Sequence, residues 1–259
     1  MNARSVFLMA TLLVTTAHHG LADDQTEIWI AKARAAVGTE KALTAITAVR
    51  FIGTVETVQK IPSKTDPAKL DDVSIRLAID ISCQKPDRQR IVLRTDKTVE
   101  TTVLDGYDGW FRRAESGKED KAQITLLESP QIRRLRANTW EELSFYRGIE
   151  DRGGRVEYRG EAEVDGKICF VLAFIHSDNI SFTRYFDKTT GMRIKSVTES
   201  GGEIREEGEI MVNGIHYPKV LINKSPDGQT ATITFDSVKV NEPLPGTEFA
   251  MPDAIMMMP

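Results

Sequence analysis

The sequence predicts a mainly β protein of the α+β class, a curved antiparallel sheet with helices on its concave side. Three observations carry that expectation. Residues 74–83 alternate between apolar and mostly polar side chains, the period-2 pattern of a half-buried strand. Four dipeptides, Asp105-Gly106, Asp165-Gly166, Asn213-Gly214 and Asp227-Gly228, sit between apolar runs and tolerate the positive φ angles that two-residue hairpins demand. One amphipathic segment follows Ser129-Pro130 and supplies the cover that a sheet with one apolar face needs.

The elements follow in order. Arg4, an apolar stretch from Val6 to Ala17 and the small-residue pattern Gly20-Leu21-Ala22 before Asp23 read as a cleaved export signal over residues 1–22. The apolar run stops short of the about 20 residues that a membrane-spanning helix needs. No cysteine lies near the junction to accept a lipid anchor. Thr26 then caps a helix with Ile28, Ala31 and Ala35 on its apolar face, closed by Gly38, and Thr39 with Glu40 opens a short second helix. Strands are expected at 49–58 and 74–83, with a polar loop holding Pro62 and Pro67 between them. Ser129 is expected to cap a helix from Pro130 to Tyr146 that carries Ile132, Leu135, Thr139, Leu143 and Tyr146 on one face until Gly148. Seven further strands are centred on Tyr158, Phe170, Phe182, Ile194, Ile210, Leu221 and Ile233. No composition break or internal repeat divides the chain, so residues 23–259 read as one domain.

The chemistry-bearing residues are few. The net charge of −4 argues against nucleic acid or an anionic membrane as partner. Arg133, Arg134 and Arg136 read as a solvated helix face. Beyond the signal the histidines are His176 and His216, on separate predicted hairpins, and neither H-E-x-x-H nor C-x-x-C occurs, so no metal site is expected. Nucleotide-binding glycine loops and the serine-nucleophile elbow are also missing, and no cofactor is implied. Glu203, Glu206, Glu207 and Glu209 crowd one hairpin, where they solvate an edge and lack the apolar pocket that acid catalysis wants. Cys83 and Cys169 are the two cysteines; an oxidising compartment would permit them to pair, and the sequence leaves both states open. Nothing here equips the chain as an enzyme.

The stretch Val49 to Arg113 resembles the first half of the periplasmic lipoprotein carrier LolA and its relatives, LolB and the N-terminal domain of RseB. "VRFIGTVETVQK" is followed by a long alternating strand ending in "CQKPDRQRI", a hairpin, and "LDGYDGWF". Asp105, Gly106 and Trp110 match the family's Asp-Gly-x-x-x-Trp turn, and Phe249 with Pro252 match its closing Phe-x-x-Pro. The order of elements can be followed from about residue 26 to 253. The resemblance implies an unclosed β-barrel whose apolar concave face is covered by helices and accepts acyl chains. In the carrier an arginine before the turn proline bonds to the helical lid and gates the cavity. Here Lys85 precedes Pro86 as the candidate gating residue, a point charge in place of a planar fork. With the segment 60–72 also longer than in the small carrier, the chain reads as a divergent relative.

The expected function is that of a periplasmic, monomeric, non-enzymatic carrier or binding protein for lipid or lipoprotein acyl chains. The alternative is an envelope sensing domain that recognises a partner protein and whose cavity is vestigial. Candidate cavity residues on the sheet are Ile75, Leu77, Ile79, Ile81, Leu93 and Trp110. On the helix they are Ile132, Leu135 and Leu143.

Overall fold

The computed structural model describes residues 19–62 and 69–251. Helix α1 (His19–Val37) and the short α2 (Glu40–Thr44) lead into strands β1 (Ala48–Pro62), β2 (Leu70–Gln84), β3 (Arg88–Arg94), β4 (Thr98–Asp105), β5 (Asp108–Glu115) and β6 (Gln123–Leu126). Helix α3 (Ser129–Leu143) follows, then β7 (Arg155–Val164), β8 (Lys167–Ser177), β9 (Ile180–Asp187), β10 (Arg193–Thr198), β11 (Glu203–Val212), β12 (Ile215–Lys224) and β13 (Thr230–Val240). The strands form one 13-stranded sheet in the order β6-β5-β4-β3-β2-β1-β13-β12-β11-β10-β9-β8-β7, with neighbours antiparallel. From β1 at the centre the chain steps outward to the β6 edge, crosses to the β7 edge through α3, and steps back until β13 pairs with β1. The edges β6 and β7 are not joined, so the sheet is an unclosed barrel.

The seven expected strand centres from Tyr158 to Ile233 each fall in one of β7 to β13. The four hairpin dipeptides sit at the β4–β5, β7–β8, β11–β12 and β12–β13 turns. At two of them both residues take positive φ, Asp165 52° with Gly166 76°, and Asn213 51° with Gly214 77°, the turn whose twist matches that of the flanking strands. Most of the loop expected at 62–67 and of the export signal, with Pro252, lie outside the described residues. Pro62 itself ends β1, and α1 runs across the expected junction after Ala22.

Helices pack on the inner face. Leu43, Ile46, Leu143 and Phe145 form one core cluster with Val49, Phe51, Cys83, Ile215, Tyr217 and Phe235. Ile30, Ala33, Trp140 and Tyr146 form another with Phe170, Leu172, Phe174 and Phe186. Cys83 and Cys169 are both buried and free.

Two helices differ from expectation. In α1 the buried side is Thr26, Ile30, Ala33 and Arg34, whereas Ile28 is 63% exposed and Ala31 and Ala35 face solvent. Both sets keep helical spacing; the choice is made by Trp29 and Ile30, because Trp29 stacks on Phe170 at 4.4 Å. Thr26 therefore lies within the helix and does not cap it. In α3 the N-cap is Glu128 rather than Ser129, and Gln131 closes a reciprocal capping box by accepting from the Glu128 N–H at 2.9 Å. The helix stops at Leu143, short of Tyr146, because Phe145 and Tyr146 turn left-handed at φ 50° and 74°. That turn sends the two rings to different clusters, Phe145 toward Tyr217 and Tyr146 against Phe174 and Phe186. Their burial offsets the about 1–2 kcal/mol that each left-handed non-glycine residue costs.

Candidate functional site

Register fixes which side chains share the inner face. Phe51, Ile81, Ile91, Thr102, Phe111 and Thr125 are cross-strand partners in succession from β1 to β6, and partners point to the same side of a sheet. The N-terminal half of α3 passes over the outer end of this row. Between them lies a cavity of about 920 Å³, lined by Thr102, Phe111 and Thr125 from the sheet, Leu127 before the helix, Pro130, Gln131 and Leu135 of α3, and Ser177, Asn179 and Ile180 at the β8–β9 turn. Residues from both ends of the sheet thus face each other across one space. Its volume is at the upper end of the about 300–1,000 Å³ usual for small-molecule sites.

A second cavity of about 510 Å³ shares Arg133, Ser177 and Ile180 with the first and is polar, lined also by Asp87, Tyr107, Arg136, Asp151, Arg152 and His176. Asp87, buried in the β2–β3 turn, binds Arg136 of α3 at 2.9 Å and Arg152 at 2.8 Å. Arg136 also lies over the Tyr107 ring, 3.9 Å from its centroid. Deeper in, Glu141 forms an ion pair with buried Arg184 and pairs with His176 at 2.7 Å. Burial of Arg184 lowers its pKa more than the Glu141 charge raises it.

The two ends of α3 are held differently. At its C-terminus Trp140 and Leu143 are core residues, and Arg34 donates to the carbonyls of Ser144 at 3.0 Å and Phe145 at 2.6 Å while forming a bidentate pair with Glu40. That places a cation at the negative end of the helix dipole and satisfies the carbonyls of the C-cap and of the residue after it. At the N-terminal half Ile132 and Leu135 are only half-buried. The ties there are polar, Arg136 to Asp87 and Arg134 to Glu199.

No family model and no curated protein sequence matches the chain. Solved structures do. A LolA superfamily protein from Nitrosomonas europaea superposes with a TM-score of 0.57 at 11% identity, over 87% of this chain and 97% of that one. A putative outer membrane lipoprotein-sorting protein domain from Vibrio parahaemolyticus gives 0.54 at 11%, over 86% and 97%. A DUF1329 family protein from Desulfovibrio piger gives 0.56 at 9%, over 87% and 97%. The chain has the LolA fold.

Within that fold the expected site residues separate. Leu135 lines the larger cavity, Ile132 lies half-buried on the same half of α3, and Leu143 belongs to the core. Ile75, Leu77, Ile79, Ile81 and Leu93 share the inner face with Phe111. They sit on β2 and β3, two strands or more from β5, and so roughly 10 Å to one side. Trp110 is on the opposite face, as cross-strand partner of Val103, and is buried there with Ala48, Leu244 and Phe249. Trp110 and Phe249 meet in that outer cluster, where they build the fold, while Phe111, next to Trp110 in the same motif, faces the cavity. Lys85 is exposed, and partial burial with the Arg34 charge holds its ammonium pKa below the usual value. The residue joining this turn to α3 is Asp87, which pairs with the Arg136 guanidinium of the helix. Phe111 and Asp87 both lie in the quoted motifs, and only three-dimensional placement distinguishes them from their neighbours.

Proposed function

We propose that the protein is an exported, non-enzymatic carrier or binding protein for the acyl chains of lipids or lipoproteins. The observation that supports this most is the cavity of about 920 Å³ between the inner face of the sheet and the N-terminal half of α3. Each methylene taken from water into such a space contributes about 0.8 kcal/mol, while association costs upwards of about 4 kcal/mol. A six-carbon chain barely offsets that cost, and a chain of a dozen or more carbons exceeds it without help from any catalytic group. The fold shared with a lipoprotein-sorting domain agrees with this use, and the segment 1–22 supplies an address in the cell envelope.

The cavity is filled, or emptied, by what α3 does. Its C-terminal half is held by core packing and Arg34, so the half from Ser129 to Arg136 is the part that moves to admit a chain. Binding of a fluorescent fatty-acid probe tests the reading. Wild-type protein is expected to enhance probe fluorescence with saturation, and Ile180→Trp or Leu135→Trp, which fill the cavity, to weaken binding at least tenfold, with little change in melting temperature for half-buried Leu135 and a lower one for Ile180, which is packed with Ala137 and Phe182. Equal binding by the filled variants would place the probe elsewhere, and no binding by the wild type would contradict the carrier reading and favour a domain that recognises a partner protein.

A further inference from the structure

The two cavities that meet beneath α3 differ in chemistry. The larger has an apolar wall of Phe111, Leu127, Leu135 and Ile180. The smaller carries three guanidinium groups, Arg133, Arg136 and Arg152, against two carboxylates, Asp87 and Asp151. Asp87 is shared by Arg136 and Arg152, so one negative charge serves two positive ones. Arg133 stands in the walls of both cavities. It makes no hydrogen bond or ion pair among the described residues, whereas its neighbour Arg134 is paired with Glu199. Pro130 and Gln131, in the first turn of α3, complete the same rim together with Glu128, whose carboxylate caps the helix N-terminus and so leaves Arg133 as the group there that can receive an anion.

An acyl chain lying against Phe111 and Ile180 leaves its headgroup where the apolar wall gives way to these arginines. We infer that the cargo is an anionic amphiphile whose phosphate or carboxylate headgroup is received by Arg133, the guanidinium at this junction left without an ion pair among the described residues once Arg136 and Arg152 are set against Asp87 and Asp151. The planar fork of a guanidinium matches either oxyanion with two parallel N–H donors. A neutral headgroup would leave Arg133 without a partner, and a cationic one would be repelled. This deepens the carrier reading and rests on it.

Calorimetric titration of the purified full chain with dodecyl phosphate, dodecanoate, dodecanol and inorganic phosphate tests it. At low salt both anionic dodecyl ligands are expected to bind at least tenfold more tightly than dodecanol. Arg133→Ala removes most of that preference without changing the affinity for dodecanol, Arg133→Lys keeps part of it, and inorganic phosphate alone gives no heat. Arg133 is exposed and unpaired, so the melting temperature of both variants should match wild type. Dodecanol binding as well as the anionic ligands, or an unchanged preference in Arg133→Ala, overturns the headgroup assignment while leaving the carrier reading intact. Inorganic phosphate binding as tightly as dodecyl phosphate overturns it in favour of a free-anion site. No binding by any dodecyl ligand overturns the carrier reading and this inference with it.

Discussion

At Gly53 the centre of the sheet leaves no room for a side chain. A Cβ there would sit 2.0 Å from the Thr234 carbonyl oxygen and 2.8 Å from the Phe235 Cα, both backbone atoms of β13, at the place where the β1–β13 register shifts. Gly53→Ala should therefore cost at least about 2 kcal/mol, since neither backbone can give way cheaply; urea unfolding measures it, and a neutral result would remove the close approach. Asp187, at the end of β9, tests the electrostatics. Burial raises its pKa, but the N–H groups of Thr190 and Thr189 and the Lys167 ammonium outweigh burial and hold it below the usual value. A depressed carboxylate pKa stabilises the fold above the unfolded value of about 3.9 and loses that contribution as pH falls through the folded value. Asp187→Asn should thus be about 1 kcal/mol less stable than wild type at pH 7, with the difference shrinking as pH falls below the unfolded carboxylate value toward the folded one. A difference independent of pH would mean that the charge is not what matters.

The elements show where sequence patterns suffice and where they fail. Strands β7 to β13 were legible because hairpin dipeptides and alternation act locally, each demanding a φ sign or a face that the neighbouring residues supply. The phase of α1 was not, since Ile28, Ala31 and Ala35 keep helical spacing as well as Ile30, Ala33 and Val37, and Phe170, more than 130 residues away, selects the second set. The end of α3 differs for a related reason: Tyr146 keeps the helical spacing of Leu143, yet it and Phe145 are drawn into separate clusters. Trp110 lay in a recognisable motif, yet a motif does not say which face its tryptophan takes; pairing with Val103 decides that. The unequal anchoring of α3 yields a prediction of its own. Asp87→Asn weakens the tie to Arg136 without touching Leu143, Trp140 or Arg34. Amide hydrogen exchange should then rise over residues 129–136 and stay unchanged over 137–143, whereas uniform acceleration along the helix would show that it opens as one body.

For the whole molecule, the long crossing from β6 to β7 is the decisive feature. It leaves two sheet edges unjoined, places a helix across the opening, and sets Thr102, Phe111 and Thr125 opposite Ser177, Asn179 and Ile180 across a cleft of about 920 Å³. The cleft is open to solvent, and the acyl chain proposed to occupy it would remove the apolar surface of Phe111, Leu127, Leu135 and Ile180 from water. Organic extraction of the protein purified from its native host, followed by mass spectrometry, tests the proposed acyl-chain binding most directly. The account predicts lipid or lipopeptide bearing chains of at least about twelve carbons in near-stoichiometric amount, lost from a variant with Ile180→Trp. A folded protein that carries no acyl chain from its native host, in wild type and variant alike, would contradict it.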